Sequence, residues 1–324
     1  MHVPSVDVYT TFRCNMRCRH CFIGDLLDSP VDLDWGLLEG FLKTARARWG
    51  SREVAYLGGE PTLYPHLGTA ITLAQQLDYR VRVVSNGGAP LRRLVSSRPG
   101  GSPFHVAVSF DGSAPGAHDG VRQRGSFAQA VRSVETARAH GHTVSGILSV
   151  GRHNRADALG TLRLLAQLGL DHVNVHYVSN RGFAGRDLPM PVRDWLALRA
   201  QVREMGLAIP LRYERAFARD SRPLDCAVEN GSELMLFPDG RVFQCSMFLG
   251  SHDGHSHRWD GTALVPNPSF ALPRHQGSGA GRHCPAMAAI NGELCAEAEA
   301  AERHVACIFD KENLGAARGE KEKD

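Results

Sequence analysis

The chain of 324 residues has no long apolar run, little net charge and no cysteine across its middle part. No stretch approaches the roughly 20 consecutive apolar residues that a membrane-spanning helix needs, so we expect no membrane partner. The net charge of +3 is too small to indicate a nucleic-acid-binding surface. The N-terminus lacks the basic and apolar segments of a signal peptide, so we expect a cytoplasmic location.

The eight cysteines fall into two groups, separated by 204 residues without cysteine. The cytosol keeps thiols reduced, so disulfides do not explain them. Clustered cysteines in such a chain favour two metal sites over scattered core residues. The first group is Cys14, Cys18 and Cys21, and the second is Cys226, Cys245, Cys284, Cys295 and Cys307.

Short β-rich runs alternate with helical patterns six times along the chain. The predicted strands span 5–11, 53–57, 81–85, 104–110, 143–149 and 172–178. The predicted helices lie near 33–48, 66–77, 90–97, 126–140, 155–168 and 191–205. This alternation indicates an α/β fold with a parallel sheet and helices outside it. Six units fall short of the eight of a closed barrel, which leaves a doubly wound sheet or an open partial barrel.

The alternation ends near residue 215. Residues 226–309 hold the second cysteine group and a stretch rich in Gly, Pro and His at 250–283, which predicts irregular structure. A segment with so little periodicity often needs a metal to stay folded. We therefore predict a first domain, a small irregular domain and a charged flexible tail, over 1–215, 216–310 and 311–324.

The first cysteine group forms a CxxxCxxC motif directly after the first predicted strand. Three thiolates can bind three irons of a [4Fe–4S] cluster and leave the fourth iron open to another ligand. An open metal position marks a site of chemistry, as it does in catalytic zinc sites. The alternatives are a zinc site built on Cys18 and Cys21, or cysteines that are simply buried.

This motif, followed by Gly58-Gly59-Glu60-Pro61 after the second strand, closely resembles the radical S-adenosylmethionine (SAM) superfamily. The resemblance implies a partial (β/α)6 barrel of the TIM type. It also implies that the amino and carboxylate groups of SAM bind the open iron, and that reductive cleavage of SAM yields a 5′-deoxyadenosyl radical. His20 stands where the family usually has an aromatic side chain.

By the same resemblance, further polar groups at the strand ends are SAM contacts. Glu60 can accept a hydrogen bond from an ammonium group, and the two glycines let backbone approach a ligand closely. Arg122, in an H-D-x-x-R segment, can bind the SAM carboxylate, although a solvated surface arginine explains it equally. Turn formation and core packing are the alternatives for other positions. The full set is Gly58, Gly59, Glu60, Pro61, Ser85, Asn86, Ser109, Asp111, Arg122 and Leu148.

The second cysteine group opens with a C-x13-G-x4-C element that runs from Cys226 to Cys245 around a predicted hairpin turn at Asp239-Gly240. This element resembles the opening half of SPASM and twitch domains, which carry auxiliary [4Fe–4S] clusters. The C-x2-C-x5-C-x3-C run of full SPASM domains is absent from the sequence. The resemblance therefore implies a twitch-like domain with one auxiliary cluster.

Three further cysteines are available to complete this second set. Cys284 and Cys307 are the preferred third and fourth ligands. Cys295 lies in a helix-like Ala/Glu stretch and is a spare thiol or an alternate ligand. Four thiolates suit zinc as well as a cluster, so a zinc site with the same residues is the alternative.

Together these features predict a radical SAM oxidoreductase that abstracts hydrogen from a C–H bond and oxidises its substrate, with the auxiliary cluster accepting an electron. In the resembling subgroup the substrate is commonly the precursor of a ribosomal peptide natural product. The alternative is dehydrogenation of a small sugar or another natural-product intermediate, because thirteen residues precede Cys14 and we expect no N-terminal leader-recognition domain. An external electron donor such as flavodoxin or ferredoxin is a further expected partner.

The sixth predicted strand carries candidate catalytic side chains towards the expected mouth of the barrel. They are His176, Tyr177 and Asn180, and a catalytic base or radical relay could come from this set, although packing explains Tyr177 adequately. Two other classes of protein are open. An iron–sulfur electron carrier would not cleave SAM, and a zinc-stabilised binding protein would be colourless.

Overall fold

Alternating buried valines make Ser5–Tyr9 the first strand of a parallel sheet. This computed structural model describes residues 2–98, 102–219, 226–249, 253–271, 283–307 and 310–314. The strands in these ranges are β1 (Ser5–Tyr9), β2 (Glu53–Leu57), β3 (Arg80–Ser85), β4 (His105–Ser109), β5 (Thr143–Val150), β6 (Val173–Tyr177), β7 (Leu211–Glu214), β8 (Phe217–Ala218), β9 (Glu233–Leu236), β10 (Arg241–Phe243), β11 (His257–Trp259), β12 (Leu264–Pro266), β13 (His304–Val305) and β14 (Lys311–Leu314).

The helices connect these strands. They are α1 (Trp35–Arg48), α2 (Leu67–Gln76), α3 (Ala89–Ser96), α4 (Pro115–Val121), α5 (Ser126–Ala139), α6 (Ala158–Gln167), α7 (Val192–Glu204), α8 (Ala227–Asn230), α9 (Pro285–Ile290) and α10 (Gly292–Ala300). Across the described part of the chain, none of them has the length and apolar character needed to span a bilayer.

Strands β1 to β7 pair in parallel and in chain order, with at least one helix in every connection. The sheet continues past β1 through β9 to β12, and past β7 to β14. No pairing among the described strands closes it. The predicted partial barrel is therefore confirmed, and the carboxyl ends of its parallel strands share one edge.

Helices cover the outer face of the sheet because each long helix carries a buried apolar stripe. In α1 the stripe is Leu38, Phe41, Leu42 and Ala45, at the spacing expected of one helix face. On β2, the Tyr56 hydroxyl donates a hydrogen bond to the Ala70 carbonyl of α2 at 2.7 Å. This bond lets a large aromatic side chain be buried without leaving its hydroxyl unpaired.

After residue 215, β8 pairs with β13 in a separate two-stranded sheet, and β9 to β12 extend the barrel sheet. Strand β9 pairs in parallel with β1, and a hairpin turn at Gly240, with φ of +80°, leads into β10. The predicted turn at Asp239-Gly240 is thereby confirmed. On β11, the Trp259 indole N–H donates to the Leu37 carbonyl of α1 at 2.9 Å. The division into domains at residue 215 stays a prediction.

The expectation of irregular structure over 250–283 is wrong for β11 and β12, which are three-residue strands. Strands this short hold too few positions to reveal a period of two. Residues 250–252 and 272–282 of that stretch lie outside the described ranges.

The charged tail was predicted to begin at Lys311, but Lys311–Leu314 forms β14 against β7. Leu314 is buried, and Glu312 is paired with Arg203 at 3.1 Å and with Arg199. Because the charges on this strand have partners within the fold, the high charge of the segment did not indicate a flexible tail at Lys311–Leu314. Residues 315–324 lie outside the described ranges.

Candidate functional site

A cavity of about 480 Å³ lies within the barrel and reaches the carboxyl ends of the strands. Small-molecule and cofactor sites usually occupy roughly 300–1,000 Å³. The predicted site residues that line this cavity are Cys14, Cys18, Cys21, Gly58, Gly59, Glu60, Ser85, Asn86, Ser109, Arg122, His176 and Tyr177. The barrel therefore brings most of the predicted site together.

The cysteine loop (residues 10–23) runs from the end of β1 along one side of the cavity. The Asp32 carboxylate fixes its start, because it accepts hydrogen bonds from the Thr11 hydroxyl at 2.5 Å and the Arg13 Nε at 2.9 Å. Burial raises the pKa of the Cys14 thiol to about 12, and the charges of Cys18 and Cys21 act in the same direction. The three thiols thus lie within electrostatic range of one another, and a bound metal would reverse this shift, since coordinating thiols are deprotonated.

The backbone of Gly58-Gly59-Glu60 packs directly against the cysteine loop. The Gly59 N–H donates to the Thr11 carbonyl, and the Glu60 N–H donates to the Arg13 carbonyl, both at 2.8 Å. A Cβ atom on Gly59 would lie 2.4 Å from the carbonyl oxygens of Phe12 and Arg13. The sequence suggested that these glycines make room for a ligand, whereas in the structure they make room for the loop that carries the cysteines.

Glu60 lies at the centre of a hydrogen-bond network and is 1% exposed. Its Oε1 accepts from the Ser85 hydroxyl at 2.8 Å and from the Thr62 hydroxyl at 2.6 Å, and its Oε2 accepts from the Asn86 N–H at 2.8 Å. Burial raises the pKa of Glu60, and these hydrogen bonds oppose the rise. The Asn86 side chain in turn donates to the Asn15 side chain of the cysteine loop at 2.9 Å.

Arg122 and Asp111 form a buried ion pair beside the cysteines. The Arg122 Nε lies 2.5 Å from the Asp111 Oδ2, with 7% of the arginine side chain exposed and none of the aspartate. Burial acts to raise the pKa of Asp111, but the charges of Arg122, His20 and His118, together with the Arg122 hydrogen bond, hold that pKa below its usual range. The Arg122 Nη1 lies 4.0 Å from the Cys18 sulfur. The interpretation of Arg122 as a solvated surface residue is therefore wrong.

Besides the second cysteine group, four predicted residues lie outside the cavity lining found among the described residues. Asp111 is paired with Arg122, which does line the cavity. Pro61 is buried at the start of a 3-10 turn. Leu148 is fully buried in the core, as the packing alternative predicts. Asn180 is half-buried in the loop after β6.

Tyr177 lines the cavity, but its hydroxyl is already engaged. It donates to the Met190 carbonyl at 2.7 Å, and the residue is 5% exposed. Burial raises the pKa of this phenol. Packing thus accounts for Tyr177, as the sequence suggested.

Sequence reasoning missed Glu214, which lines the cavity from β7. It is 2% exposed, and its Oε2 lies 3.4 Å from the His176 Nδ1. The segment Leu211–Glu214 alternates apolar and charged residues, so period-two alternation was the available signal.

Three cysteines of the second group lie within electrostatic range of one another. Burial raises the pKa of the Cys245 thiol to about 12, and the charges of Cys284 and Cys226 add to the rise. Burial also raises the pKa of Cys295, with a smaller contribution from Cys284. Cys307 is buried just after β13. Ser246 and Met247, which follow Cys245, line the main cavity, so this group adjoins it.

Among the described residues, no three side chains of His, Cys, Asp and Glu lie close enough together to hold a single metal ion. A [4Fe–4S] cluster makes a different demand, because each thiolate binds its own iron. In the cysteine loop, three thiols face one cavity with a buried arginine beside them. The donor set and the space therefore fit a cluster with one iron open.

A family model of the radical SAM superfamily matches residues 8–176, which is more than half of the chain. The chain belongs to the radical SAM superfamily. The match runs from β1 into β6, so it includes the cysteine loop and the Glu60 network. Radical SAM enzymes use a [4Fe–4S] cluster to cleave SAM reductively and generate radicals.

Curated relatives of this radical SAM chain match it only in part. It is 27% identical over 250 residues to the antilisterial bacteriocin subtilosin biosynthesis protein AlbA of Bacillus subtilis. The aligned region covers 74% of this chain and 54% of AlbA. It is 28% identical over 148 residues to the mycofactocin maturase MftC of Mycobacterium ulcerans. This aligned region covers 44% of the chain and 39% of MftC. The chain thus spans about half the length, or less, of these relatives.

Solved structures share the fold of this radical SAM chain at low sequence identity. SuiB of Streptococcus suis, bound to its precursor peptide SuiA, aligns with a TM-score of 0.69 at 13% identity, covering 86% of this chain and 68% of SuiB. The anSMEcpe structure with bound AdoMet and a peptide aligns with a TM-score of 0.60 at 12% identity, covering 92% and 97% of the two chains. At these identities the likeness shows the fold alone.

Gly59→Ala should weaken cluster binding, because the added methyl would collide with two carbonyl oxygens of the cysteine loop. We expect the variant, reconstituted anaerobically, to bind less iron than wild type and to lose most of its deoxyadenosine formation. Gly120→Ala in α4 is the matched control, since its added methyl meets nothing within 4 Å. Wild-type iron content in the Gly59 variant would contradict the packing argument.

Cys14→Ala should abolish the formation of deoxyadenosine and lower the iron content of the reconstituted protein. The reason is that two thiolates cannot replace three as ligands of a cluster with one open iron. Iron analysis and a deoxyadenosine assay under reducing conditions measure the two effects separately. Cys295→Ala removes a thiol outside the cysteine loop and should retain deoxyadenosine formation, whereas SAM cleavage retained by Cys14→Ala would rule out the assignment of the loop.

Proposed function

We propose that this chain is a radical SAM oxidoreductase that modifies a peptide, the precursor of a ribosomal natural product. One observation carries the proposal: a single cavity is lined by the three cysteines of the loop and by side chains deep in the barrel, such as Asn174 and Glu214. A radical formed at the cysteines would thus reach a substrate without crossing bulk water. Support for a peptide comes from AlbA, which is named for bacteriocin biosynthesis, and from SuiB, which is bound to a precursor peptide.

In this proposal each thiolate of the cysteine loop binds one iron of a [4Fe–4S] cluster. When bound, the cluster and SAM would supply a 5′-deoxyadenosyl radical that takes a hydrogen atom from a substrate C–H bond. Glu60 would accept a hydrogen bond from the SAM ammonium, because its Oε2 accepts one hydrogen bond from the described residues, that of the Asn86 N–H, and a carboxylate oxygen can accept two. Ser85 and Ser109 would bind further polar groups of SAM.

Arg122 would hold the carboxylate of SAM through the part of its guanidinium that does not face Asp111. Asp111 binds the Nε, which fixes the plane of the guanidinium. The Nη1 points to the Cys18 sulfur, next to the proposed iron site. Asp111 therefore acts in this proposal through Arg122, without touching SAM itself.

We further propose that residues 216–310 form a SPASM/twitch-like domain with one auxiliary [4Fe–4S] cluster. Cys226, Cys245 and Cys284 supply three ligands, and Cys307 or Cys295 supplies the fourth. The mutual effects on thiol pKa support this grouping. An external donor such as flavodoxin or ferredoxin would deliver electrons to the protein, which we place in the cytoplasm. Zinc is the alternative occupant, and a zinc protein would lack the brown colour of a cluster.

Two measurements test this proposal together. Anaerobically reconstituted protein, reduced in the presence of SAM, should contain iron for two clusters and should form deoxyadenosine. Mass spectrometry of peptides from the host, with and without this gene, should reveal a peptide that has lost two hydrogen atoms only when the gene is present. Such a loss found only in a sugar or another small metabolite would contradict the peptide and favour the alternative substrate.

Cys226→Ala should separate the two clusters in function. We expect deoxyadenosine formation within about twofold of wild type, because the cysteine loop is unchanged, and an iron content near half. Oxidised product should be absent, because the electron from the substrate radical has no acceptor. Product formation at the wild-type rate would remove the auxiliary site from the mechanism.

A further inference from the structure

Three ionisable side chains on adjacent strands meet on the inner face of the barrel. His176 on β6, Glu214 on β7 and Lys311 on β14 all line the cavity that the cysteines also line. Glu214 and Lys311 are directly opposed in the β7–β14 ladder, so their side chains stand on the same face. The His176 Nδ1 lies 3.4 Å from the Glu214 Oε2.

Glu214 is buried, but only one of its carboxyl oxygens is satisfied. The Oε2 accepts a hydrogen bond from the backbone N–H of Tyr177 at 3.1 Å. The Oε1 has no hydrogen-bond partner among the described residues, although Glu214 is only 2% exposed. An unpaired buried carboxyl oxygen is unfavourable, so a group of the substrate is the natural partner for it in this cavity.

The surroundings of Glu214 suit a group that takes up and releases a proton. Burial raises the pKa of Glu214, and the charge of Lys311 opposes the rise. Burial also lowers the pKa of His176 and of Lys311, because it disfavours the charged form of both side chains. The other charged or titratable side chains of the lining, besides the three thiols, are Asp7, Tyr9, His20, Glu60, Arg82, Arg122, Tyr177 and Glu233.

Two of the side chains proposed from the sequence, Tyr177 and Asn180, are poorer candidates for this role. The Tyr177 hydroxyl already donates to the Met190 carbonyl, and burial raises its pKa. Asn180 carries an amide, which neither gains nor loses a proton near neutral pH. Glu214 combines a free oxygen, a titratable group and a place in the cavity.

We propose that Glu214 accepts the proton that a peptide hydroxyl, thiol or amide group loses when this enzyme oxidises its substrate. This inference rests on the proposed function. Joining a C–H and an X–H group into a C–X bond removes two electrons and two protons. One proton and one electron would leave together as a hydrogen atom, taken up by the deoxyadenosyl radical that SAM supplies when bound. The second electron would go to the auxiliary iron–sulfur cluster of the proposed function, and Glu214 would take the second proton.

Glu214→Gln tests the inference, because glutamine keeps the shape and the hydrogen bond from Tyr177 but cannot take a proton. The probe is a synthetic copy of the peptide identified by the comparison of host peptides. We expect product formation to fall by about a hundredfold or more, in the range of lost general-base catalysis. Formation of deoxyadenosine should stay within about twofold of wild type.

Glu233→Gln is the matched control, because it removes a second carboxylate from the same cavity lining, on β9. It should leave product formation within about twofold of wild type. Glu214→Asp retains the carboxylate and should restore part of the product, which guards against a Gln variant that misfolds.

Undiminished product from Glu214→Gln would overturn the inference. So would a higher KM with unchanged kcat, which would mean that Glu214 binds a cationic group of the peptide. Wild-type protein that forms no deoxyadenosine would instead defeat the proposed function, and the role of Glu214 would fall with it. The two failures are therefore distinguishable.

Discussion

The candidate site depends on one close backbone contact, between the cysteine loop and Gly58-Gly59-Glu60. Two N–H groups of the second segment donate to carbonyls of the first, and a Cβ on Gly59 would lie 2.4 Å from two of its oxygens. The contact sets the position of three cysteines relative to the Glu60 carboxylate. Everything that we attribute to the cluster and to SAM requires that relative position.

Buried carboxyl groups around the cavity differ in how their burial is offset. The burial of the Glu60 carboxyl group is offset by four hydrogen bonds from neutral donors, and that of Asp111 by the charges of Arg122 and two histidines. Burial acts to raise the pKa of both, and only the aspartate ends below its ordinary pKa. Glu214 retains an oxygen without a partner in the described chain. The satisfied carboxyl groups fix other residues, and the unsatisfied one is free to act on a substrate.

The sequence predicted the parts of the molecule that repeat or that have a strict spacing. Six β-α units show periodicity over many residues, and the cysteine motif has a fixed spacing after a strand, so both were recognised. Strands of three residues, such as β11 and β12, hold too few positions for a period to emerge. The place of β9 beside β1 depends on pairing between segments far apart in the chain, which no local pattern encodes.

The roles of single residues were predicted less well, for reasons that the contacts explain. A glycine pair indicates close approach but not which group approaches, so the packing of the cysteine loop on Gly59 was not foreseen. Glu214 precedes an arginine in the charged run RYER, which is typical of a solvated strand. Leu148 lies within an apolar strand, and the sequence pattern of that strand does not reveal which of its faces meets the cavity.

The central claim is that the cysteine loop holds a cluster whose open iron binds SAM beside Glu60 and Arg122. Pulsed electron–nuclear double resonance of the reduced protein, with SAM labelled in turn at its amino nitrogen and its carboxylate carbon, tests it most directly. The account predicts hyperfine coupling from both labels to the reduced cluster. Full iron content with no coupling from either label would contradict it.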